Sequence, residues 1–358
     1  MARPLRGRNN VLEVWMCFLY PISTTLVVVV FGIVSNNRCL CCCLGFKHHI
    51  ESRAPPVASL YSKSTENQSN DRHISPFLVN EFVSVAHELA NAAGDAILPF
   101  WRQKDVEIEY KKDIGRSVSQ TNSPVTIADR SAETAMRELI ENKFPSHGIY
   151  GEEFGEVRVD ADFVWVLDPI DGTKAFVTGK PTWGILISLL FRGVPVVGVI
   201  DNCVLKERWV GSIGNPTLLN GEPVSVAKAT AKKLCDATIY TTTPDMFRVG
   251  EELKKFEIVR DASLCTLYGC DCYAYALVAS GFGADAVIEA DLGLYDYAAI
   301  VPIIQGAGGI ITDWNGNLLT LQNHHNSKGR VVACSNAALH SEMLYTLSTV
   351  ETEEEDHL

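Results

Sequence analysis

The hexapeptide DPIDGT at residues 168–173 brings together oxygen groups that could bind a divalent cation. Pro169 restricts its own backbone φ and biases Asp168 towards an extended conformation. That geometry would turn the carboxylates of Asp168 and Asp171 and the carbonyl of Ile170 towards one point. Hard oxygen ligands of this kind suit Mg²⁺, so the hexapeptide predicts a magnesium site.

The surroundings of the hexapeptide add an anion pocket to the predicted metal site. The apolar run 163–167 is typical of a buried strand, so the carboxylates follow a strand end, where open α/β sheets usually place ligands. Gly172 and Thr173 then begin a predicted helix whose free amides favour an anion. A metal beside an anion suits phosphate chemistry. Asp-Gly is also a common turn, however, and Asp171 could serve only as a helix cap.

Composition limits the possible classes of protein. With 358 residues, the chain is long enough for one large domain or two, with a sizeable core. The net charge is −12, divided into +4 for residues 1–76 and −16 for the remainder. An acidic body argues against nucleic acid as a partner. The 11 cysteines favour free thiols in a reducing compartment over a disulfide framework.

Residues 1–76 are predicted to be a poorly ordered targeting segment that precedes the fold. Their start is basic, an apolar run covers 11–34, and a polar stretch covers 62–75. An organellar transit peptide, a secretory signal and a membrane anchor all fit this pattern. The folded body is expected to begin near Phe77, and residues 351–358 form an acidic tail that is expected to fray.

Periodicity predicts alternating helices and strands in the first half of the body. An apolar stripe predicts a helix over 79–101. A second helix is predicted to start at residue 126 and to end near 143, with Asp129 at the third position, where a capping role is the simplest interpretation. A short strand at 149–153 should end on Glu152 and Glu153, whose side chains would point to opposite faces.

The rest of the body continues the same alternation. A hairpin is predicted from strands 184–191 and 194–200, and a subdomain boundary near 215 separates residues 77–215 from 216–350. The other predicted elements of the C-terminal part are helices at 245–256, 273–279, 295–307 and 337–350, and strands at 237–242, 284–289, 309–313 and 330–334. Gly281 and Gly283 are predicted to close the helix at 273–279.

Three motifs occur in a fixed order: GEE at 151–153, DPIDGT at 168–173, and YDYAA at 295–299 followed by GAGG at 306–309. Together they resemble the inositol monophosphatase family of metal-dependent phosphomonoesterases, from about residue 78 to 350. The resemblance implies an α/β (α+β) fold, a layered αβαβα sandwich. It also implies two subdomains with the active site in the cleft between them, and a homodimer.

The resemblance also implies a role for individual residues. The Mg²⁺ ions, two or three per active site, would be held by Glu152, Asp168, the Ile170 carbonyl, Asp171 and Asp296. Thr173 and Asp129 would polarise the attacking water, and the amides of Gly172 and Thr173 would bind the phosphate. The implied reaction is in-line displacement at phosphorus without a phosphoenzyme.

Within the family, segments 181–184, 291–292 and 295–299 look most like the histidinol-phosphate phosphatase branch of plants and bacteria. Glu289 and Asp271 would add carboxylates near the leaving group, which suits the ammonium and imidazole of histidinol phosphate better than the hydroxyls of inositol phosphate. The simpler interpretation is a strand-end Glu and a surface Asp.

Other functions and locations remain open from the sequence. Within the same chemistry, the alternative is an inositol monophosphatase or a sugar-phosphate phosphatase. More distant alternatives are a non-catalytic metal- or phosphate-binding protein and a membrane-anchored scaffold. If the protein makes histidine in a plant, residues 1 to about 70 would be a plastid transit peptide, removed to leave a chain with no stable membrane association.

Overall fold

The structure is a computed structural model that describes residues 18–22, 25–29, 74–103, 108–111, 123–229 and 231–349. Contacts divide the chain into two units, Met1–Pro56 and Val57–Leu358. In the first unit, strands β1 (Phe18–Ile22) and β2 (Thr25–Val29) pair in antiparallel fashion. Most of the predicted leader and the acidic tail lie outside the described residues. Among those that are described, no helix has the length and apolarity needed to cross a bilayer.

The second unit alternates helices and strands along the chain. Its helices are α1 (Pro76–Ile97), α2 (Ile127–Lys143), α3 (Thr173–Val177), α4 (Glu251–Ala262), α5 (Cys272–Ser280), α6 (Leu294–Tyr297), α7 (Ile300–Gly306), α8 (His324–Ser327) and α9 (Ala337–Ser348). Its strands are β3 (Ile108–Lys111), β4 (Ser123–Thr126), β5 (Gly148–Gly151), β6 (Gly155–Val157), β7 (Phe163–Asp171), β8 (Gly184–Phe191), β9 (Val194–Asn202), β10 (Glu207–Ser212), β11 (Leu218–Leu219), β12 (Glu222–Pro223), β13 (Thr238–Thr241), β14 (Cys265–Tyr268), β15 (Ala286–Glu289), β16 (Ile310–Thr312) and β17 (Val331–Cys334).

Two sheets form the framework of this unit. The larger has the order β12-β11-β10-β9-β8-β7-β5-β6 and is antiparallel except between β5 and β7. The smaller has the order β14-β13-β15-β17-β16, with β13 parallel to both of its neighbours. The predicted hairpin of β8 and β9 is confirmed.

The layers follow from side chains that alternate across each strand. On β7, Trp165 and Leu167 pack with α1 and α2, whereas Val164 and Val166 face the opposite way, onto α5, α6 and α7. Those three helices also cover one face of the smaller sheet, and α4 and α9 cover its other face. The predicted αβαβα layering is therefore confirmed. The boundary near residue 215 stays a prediction.

Local signals in the sequence account for several helix ends. The Thr126 hydroxyl and Asp129 form a capping box at the start of α2, as the spacing predicted. Ser75 caps α1, accepting a hydrogen bond from the Leu78 amide at 3.3 Å, with Pro76 next to it. Gly281 ends α5 in the left-handed conformation.

Two predicted helices were wrong in extent. The helix expected at 245–256 is a short 3₁₀ turn followed by α4, because Gly250 interrupts the chain with φ of 110°. The helix expected at 295–307 is divided into α6 and α7. Pro302 lacks the amide that would bond the Ala298 carbonyl, which accepts a hydrogen bond from the Ser188 hydroxyl at 3.2 Å instead.

The Asp-containing and Glu-containing motifs also differ locally from the predictions. Strand β7 continues to Asp171 rather than ending before Asp168, with a register shift between these residues. Strand β5 ends at Gly151, so Glu152 and Glu153 lie in a turn. The directions of their side chains are therefore set by the turn and not by the alternation of a strand.

Substitution of Gly198 by Ala should destabilise the fold, because α7 crosses β9 at this glycine. A Cβ there would collide with the Ala299 carbonyl oxygen and lie 2.8 Å from the Pro302 ring. The backbone of a packed core can shift to relieve this clash only at a cost in free energy. We therefore expect a loss of about 2–3 kcal/mol in the free energy of unfolding. Chemical denaturation tests this. Gly94→Ala is the control, since its Cβ would lie at an ordinary contact distance of 3.4 Å from Cys203 Cβ. An unchanged stability for Gly198→Ala would contradict this account of the packing.

Candidate active site

Strand β7 delivers the hexapeptide to the edge of a cavity. Asp168 is 1% exposed, and its Oδ1 accepts a hydrogen bond from the Ile170 amide at 3.0 Å. The proline between them has no amide to join the sheet, and the register with β8 shifts here until Asp171 pairs with Gly184. The irregular strand end thus brings both aspartates to line the same cavity.

Helix α6 supplies the third carboxylate. Asp296 occupies its first turn, and its Oδ2 accepts a hydrogen bond from the Gly293 amide at 2.6 Å, which fixes the side chain at the start of the helix. Oxygens of Asp168, Asp171 and Asp296 all lie within 4.8 Å of one another. The structure therefore brings together three of the predicted metal ligands, from positions more than 120 residues apart in sequence.

Glu152 lines the same cavity from the turn after β5. Its amide bonds the Leu167 carbonyl at 3.1 Å, which ties the turn to β7. Beyond it, the Glu153 amide donates to Oε2 of the buried Glu133 at 2.7 Å. Glu133 also pairs with Arg137 at 2.7 Å. These contacts fix the turn on one side, and Glu152 lines the cavity with the aspartates on the other.

The cluster concentrates negative charge in a buried place. Burial, together with the charges of Glu152, Asp171 and Asp296, raises the pKa of Asp168 well above its ordinary value. Burial and the nearby Asp271 and Asp296 raise the pKa of Asp171 in the same way. A divalent cation would relieve this repulsion, and an all-oxygen donor set is the kind that Mg²⁺ takes. The residues present therefore fit a metal site.

The loop between β7 and α3 carries Gly172 and Thr173, the residues predicted to bind an anion. Gly172 adopts φ of 83°, a left-handed conformation that favours glycine, and caps the five-residue α3. A Cβ at this position would lie 2.8 Å from Oδ2 of Asp271, so glycine is also required for space. The Thr173 hydroxyl donates to the Ile170 carbonyl at 3.0 Å, at the rim of the aspartate cluster.

Asp129 lies in the first turn of α2 and is not among the residues that line the cavity. Its Oδ2 accepts hydrogen bonds from the Thr126 amide at 2.8 Å and hydroxyl at 2.6 Å. Its Oδ1 is buried without a hydrogen-bond partner, and burial is the main cause that raises its pKa to about 6. Across the described ranges, no hydrogen bond joins Asp129 to Thr173. Their predicted cooperation stays a prediction.

The cavity has a volume of about 490 Å³ and extends from the aspartates to Glu289 and Asp271. Glu289 is 2% exposed at the end of β15 and accepts hydrogen bonds from the Thr242 amide at 3.0 Å and the Tyr275 hydroxyl at 2.8 Å. Burial is the main cause that raises its pKa to about 7. It is a strand-end residue, as predicted, and it lines the cavity.

Asp271 is held in an unusual backbone conformation at the start of α5. Its φ is 45°, and the preceding Cys270 has φ of 81°, both rare for residues other than glycine. The next amide, of Cys272, donates to Oδ2 of Asp171 at 2.6 Å. This segment is therefore hydrogen-bonded directly to the aspartate cluster. Among the described residues, the Asp271 carboxylate makes no hydrogen bond. Such strain is typical of functional sites.

Several cavity residues were not predicted from the sequence. Lys174 and Lys180 line the cavity, and their charges oppose the effect of burial, which raises the pKa of Asp271 to about 6. Thr242 and Tyr275 were also missed. Lys174 directly follows the hexapeptide, which could have drawn attention to it, but the other three approach the site only through the fold.

Comparisons with known proteins agree with this geometry. Residues 78–352 match the model of the inositol monophosphatase family. The chloroplastic bifunctional phosphatase IMPL2 of Arabidopsis thaliana is 44% identical over 81% of this chain and 82% of its own length. A histidinol-phosphatase of Chlorobaculum parvum is 34% identical over 65% of this chain and 86% of its own.

A solved structure of the same family has the same fold as this chain. An inositol monophosphatase from Zymomonas mobilis superposes with a TM-score of 0.64 at 38% identity, covering 77% of this chain and 100% of that one. The matched residues include both sheets and the carboxylates of Glu152, Asp168, Asp171 and Asp296. The chain therefore belongs to the inositol monophosphatase family.

Proposed function

We propose that this phosphatase hydrolyses L-histidinol phosphate to L-histidinol and phosphate. The observation that carries the proposal is the cluster of Asp168, Asp171 and Asp296 within 4.8 Å, at one end of a cavity whose other residues include Glu289 and Asp271. A phosphate ester with a cationic leaving group matches this polarity. The relatives named as histidinol-phosphatases support the same substrate.

The metal of this metal-dependent family is proposed to be Mg²⁺, with two or three ions per site. Its ligands would be Glu152, Asp168, the Ile170 carbonyl, Asp171 and Asp296. When bound, the metal supplies an activated water and stabilises charge on the leaving oxygen. The carboxylates hold it in place, and the Cys272 amide orients Asp171 for this purpose.

Thr173 and Asp129 are proposed to polarise the attacking water. The Thr173 hydroxyl lies at the cluster rim, and the unpartnered Oδ1 of Asp129 has free acceptor capacity. The amides of Gly172 and Thr173 are proposed to bind the phosphate, because both residues line the cavity at the start of α3.

Substrate selection is assigned to Glu289 and Asp271. Glu289 is buried and held by two donors, whereas Asp271 has its carboxylate free of hydrogen bonds among the described residues. Lys174 and Lys180 offset part of the negative charge. This end of the cavity is therefore less acidic than the sequence predicted. That keeps inositol or sugar phosphates, whose alcohol part is uncharged, as the second candidate, as the Zymomonas mobilis structure also suggests.

The test is a comparison of phosphate release from L-histidinol phosphate and from myo-inositol 1-phosphate by the purified chain with Mg²⁺. We expect kcat/KM to favour the histidinol ester by about a hundredfold, near 3 kcal/mol of differential transition-state binding. EDTA-treated enzyme is the control for metal dependence. Equal rates, or a preference for the inositol ester, would contradict histidinol phosphate as the substrate and leave the metal-dependent chemistry intact.

A plastid location and a homodimer complete the proposal. The Arabidopsis thaliana relative is named chloroplastic, which supports a transit peptide in residues 1 to about 70. Strand β14 lies at the edge of the smaller sheet and exposes the apolar Leu264, Leu267 and Tyr268 beside it. An unpaired apolar edge favours association with a second copy.

A further inference from the structure

Glu289 is held more firmly than Asp271 at the substrate end of the cavity. The Thr242 amide, at the end of β13, bonds its Oε1 at 3.0 Å, and the Tyr275 hydroxyl, on α5, bonds its Oε2 at 2.8 Å. Asp271 makes no comparable bond in the described part of the chain. Two elements that are distant in sequence therefore converge to fix one carboxylate.

The Tyr275 hydroxyl bonds the Glu289 carboxylate and has no role in the proposed reaction so far. Tyr275 is 1% exposed, and a buried tyrosine hydroxyl needs a hydrogen-bond partner, which here is Glu289. An ionised carboxylate only accepts hydrogen bonds, and bonds to a charged acceptor are the stronger ones. The hydroxyl therefore both orients Glu289 and favours its ionised form, against a burial that raises its pKa.

We propose that Tyr275 is a positioning residue for substrate preference: its hydroxyl holds the Glu289 carboxylate in the orientation that receives the cationic part of the leaving group. The inference rests on the proposed function, since it assigns a second residue to the selection of the same substrate. Tyr275 acts through Glu289 and not on the phosphorus. Its loss should therefore change binding of the cationic ester and leave the chemical step in place.

Helix α5 offers a matched control. Tyr273 lies two residues before Tyr275, and its hydroxyl bonds Oε2 of Glu207 at 2.6 Å. Neither Tyr273 nor Glu207 lines the cavity. Tyr273→Phe thus deletes the same kind of Tyr–Glu hydrogen bond from the same helix, and it separates a general effect on α5 from an effect on Glu289.

The experiment measures kcat and KM of the full chain with Mg²⁺ for L-histidinol phosphate and for myo-inositol 1-phosphate, whose alcohol part carries no charge. Loss of one hydrogen bond to a charged group corresponds to a rise in KM of roughly tenfold to a hundredfold, which we expect for the histidinol ester in Tyr275→Phe. Its kcat, and both constants for the inositol ester, should stay within about twofold. Tyr273→Phe should leave both esters unchanged.

A double-mutant cycle with Glu289→Gln shows whether Tyr275 acts through Glu289. In the Glu289→Gln background, Tyr275→Phe should have little further effect, because the two residues act as a unit. Additive effects, or equal KM changes for both esters, would overturn the inference. A wild-type enzyme without preference for the histidinol ester would contradict the proposed function and this role together. A wild-type preference that Tyr275→Phe leaves intact would contradict the role of Tyr275 alone.

Discussion

Replacement of Asp171 by asparagine should lower turnover by a factor of about a thousand or more at any accessible Mg²⁺ concentration. Asp171 shares the cluster with Asp168 and Asp296, within 4.8 Å, and contributes a full charge to the proposed metal site. Asparagine keeps an oxygen that can accept the Cys272 amide, so the loop at the start of α5 should stay in place. Only the charge is removed.

The same substitution should stabilise the metal-free protein. Three carboxylates lie within 4.8 Å in a buried place, and removing one negative charge lessens their repulsion. We therefore expect Asp171→Asn to melt at a higher temperature than wild type in EDTA, and to lose the rise in melting temperature that Mg²⁺ gives wild type. If the variant is inactive, melts at a higher temperature in EDTA and shows no change in melting temperature with Mg²⁺, Asp171 is a metal ligand rather than a structural residue.

Asp162→Asn is the control for this substitution. Asp162 immediately precedes β7, at the end of the strand opposite the cluster, and pairs with Arg192 at 3.0 Å on the surface. An exposed pair of this kind contributes about 1 kcal/mol at most, so activity and the response to Mg²⁺ should be unchanged. Near-wild-type turnover in Asp171→Asn would remove Asp171 from the metal site.

Features that depend on neighbours in sequence were predictable. The capping box of Thr126 and Asp129 placed the start of α2, and Gly281 placed the end of α5. The order of the three motifs was enough to predict the family and the layered fold. These signals are local because hydrogen bonds at helix ends join residues three or four positions apart.

Features that depend on contacts between distant elements were not predictable. The Ala298 carbonyl that Pro302 leaves without a helical partner accepts a hydrogen bond from Ser188, on a strand more than 100 residues earlier. Lys180 and Tyr275 reach the cavity only because β7, α3 and α5 meet there, so the charge near Asp271 was misjudged from the sequence. The expected acidic pocket contains two lysines as well. Sequence patterns therefore predicted the aspartate cluster better than the residues around Asp271 and Glu289.

Replacement of Thr173 by valine should lower kcat by about a hundredfold or more, with a much smaller change in KM, because the proposed loss affects the activation of water in the transition state. Valine keeps the volume and the β-branch of threonine, so only the hydroxyl that bonds the Ile170 carbonyl at 3.0 Å is lost. Thr173→Ser restores a hydroxyl and should recover most of the activity.

The stability of Thr173→Val distinguishes a catalytic hydroxyl from a structural one. Thr346 on α9 has a hydroxyl that bonds the Glu342 carbonyl at 2.8 Å, far from the cavity lining, and makes a matched control. Loss of either hydroxyl should cost about 1 kcal/mol in the free energy of unfolding. Only Thr173→Val should lose turnover. If Thr173→Val retained its kcat, or if Thr173→Ser were as impaired as valine, the hydroxyl would have no part in activating water, and Thr173 would serve only to fix the Ile170 carbonyl at the cluster rim.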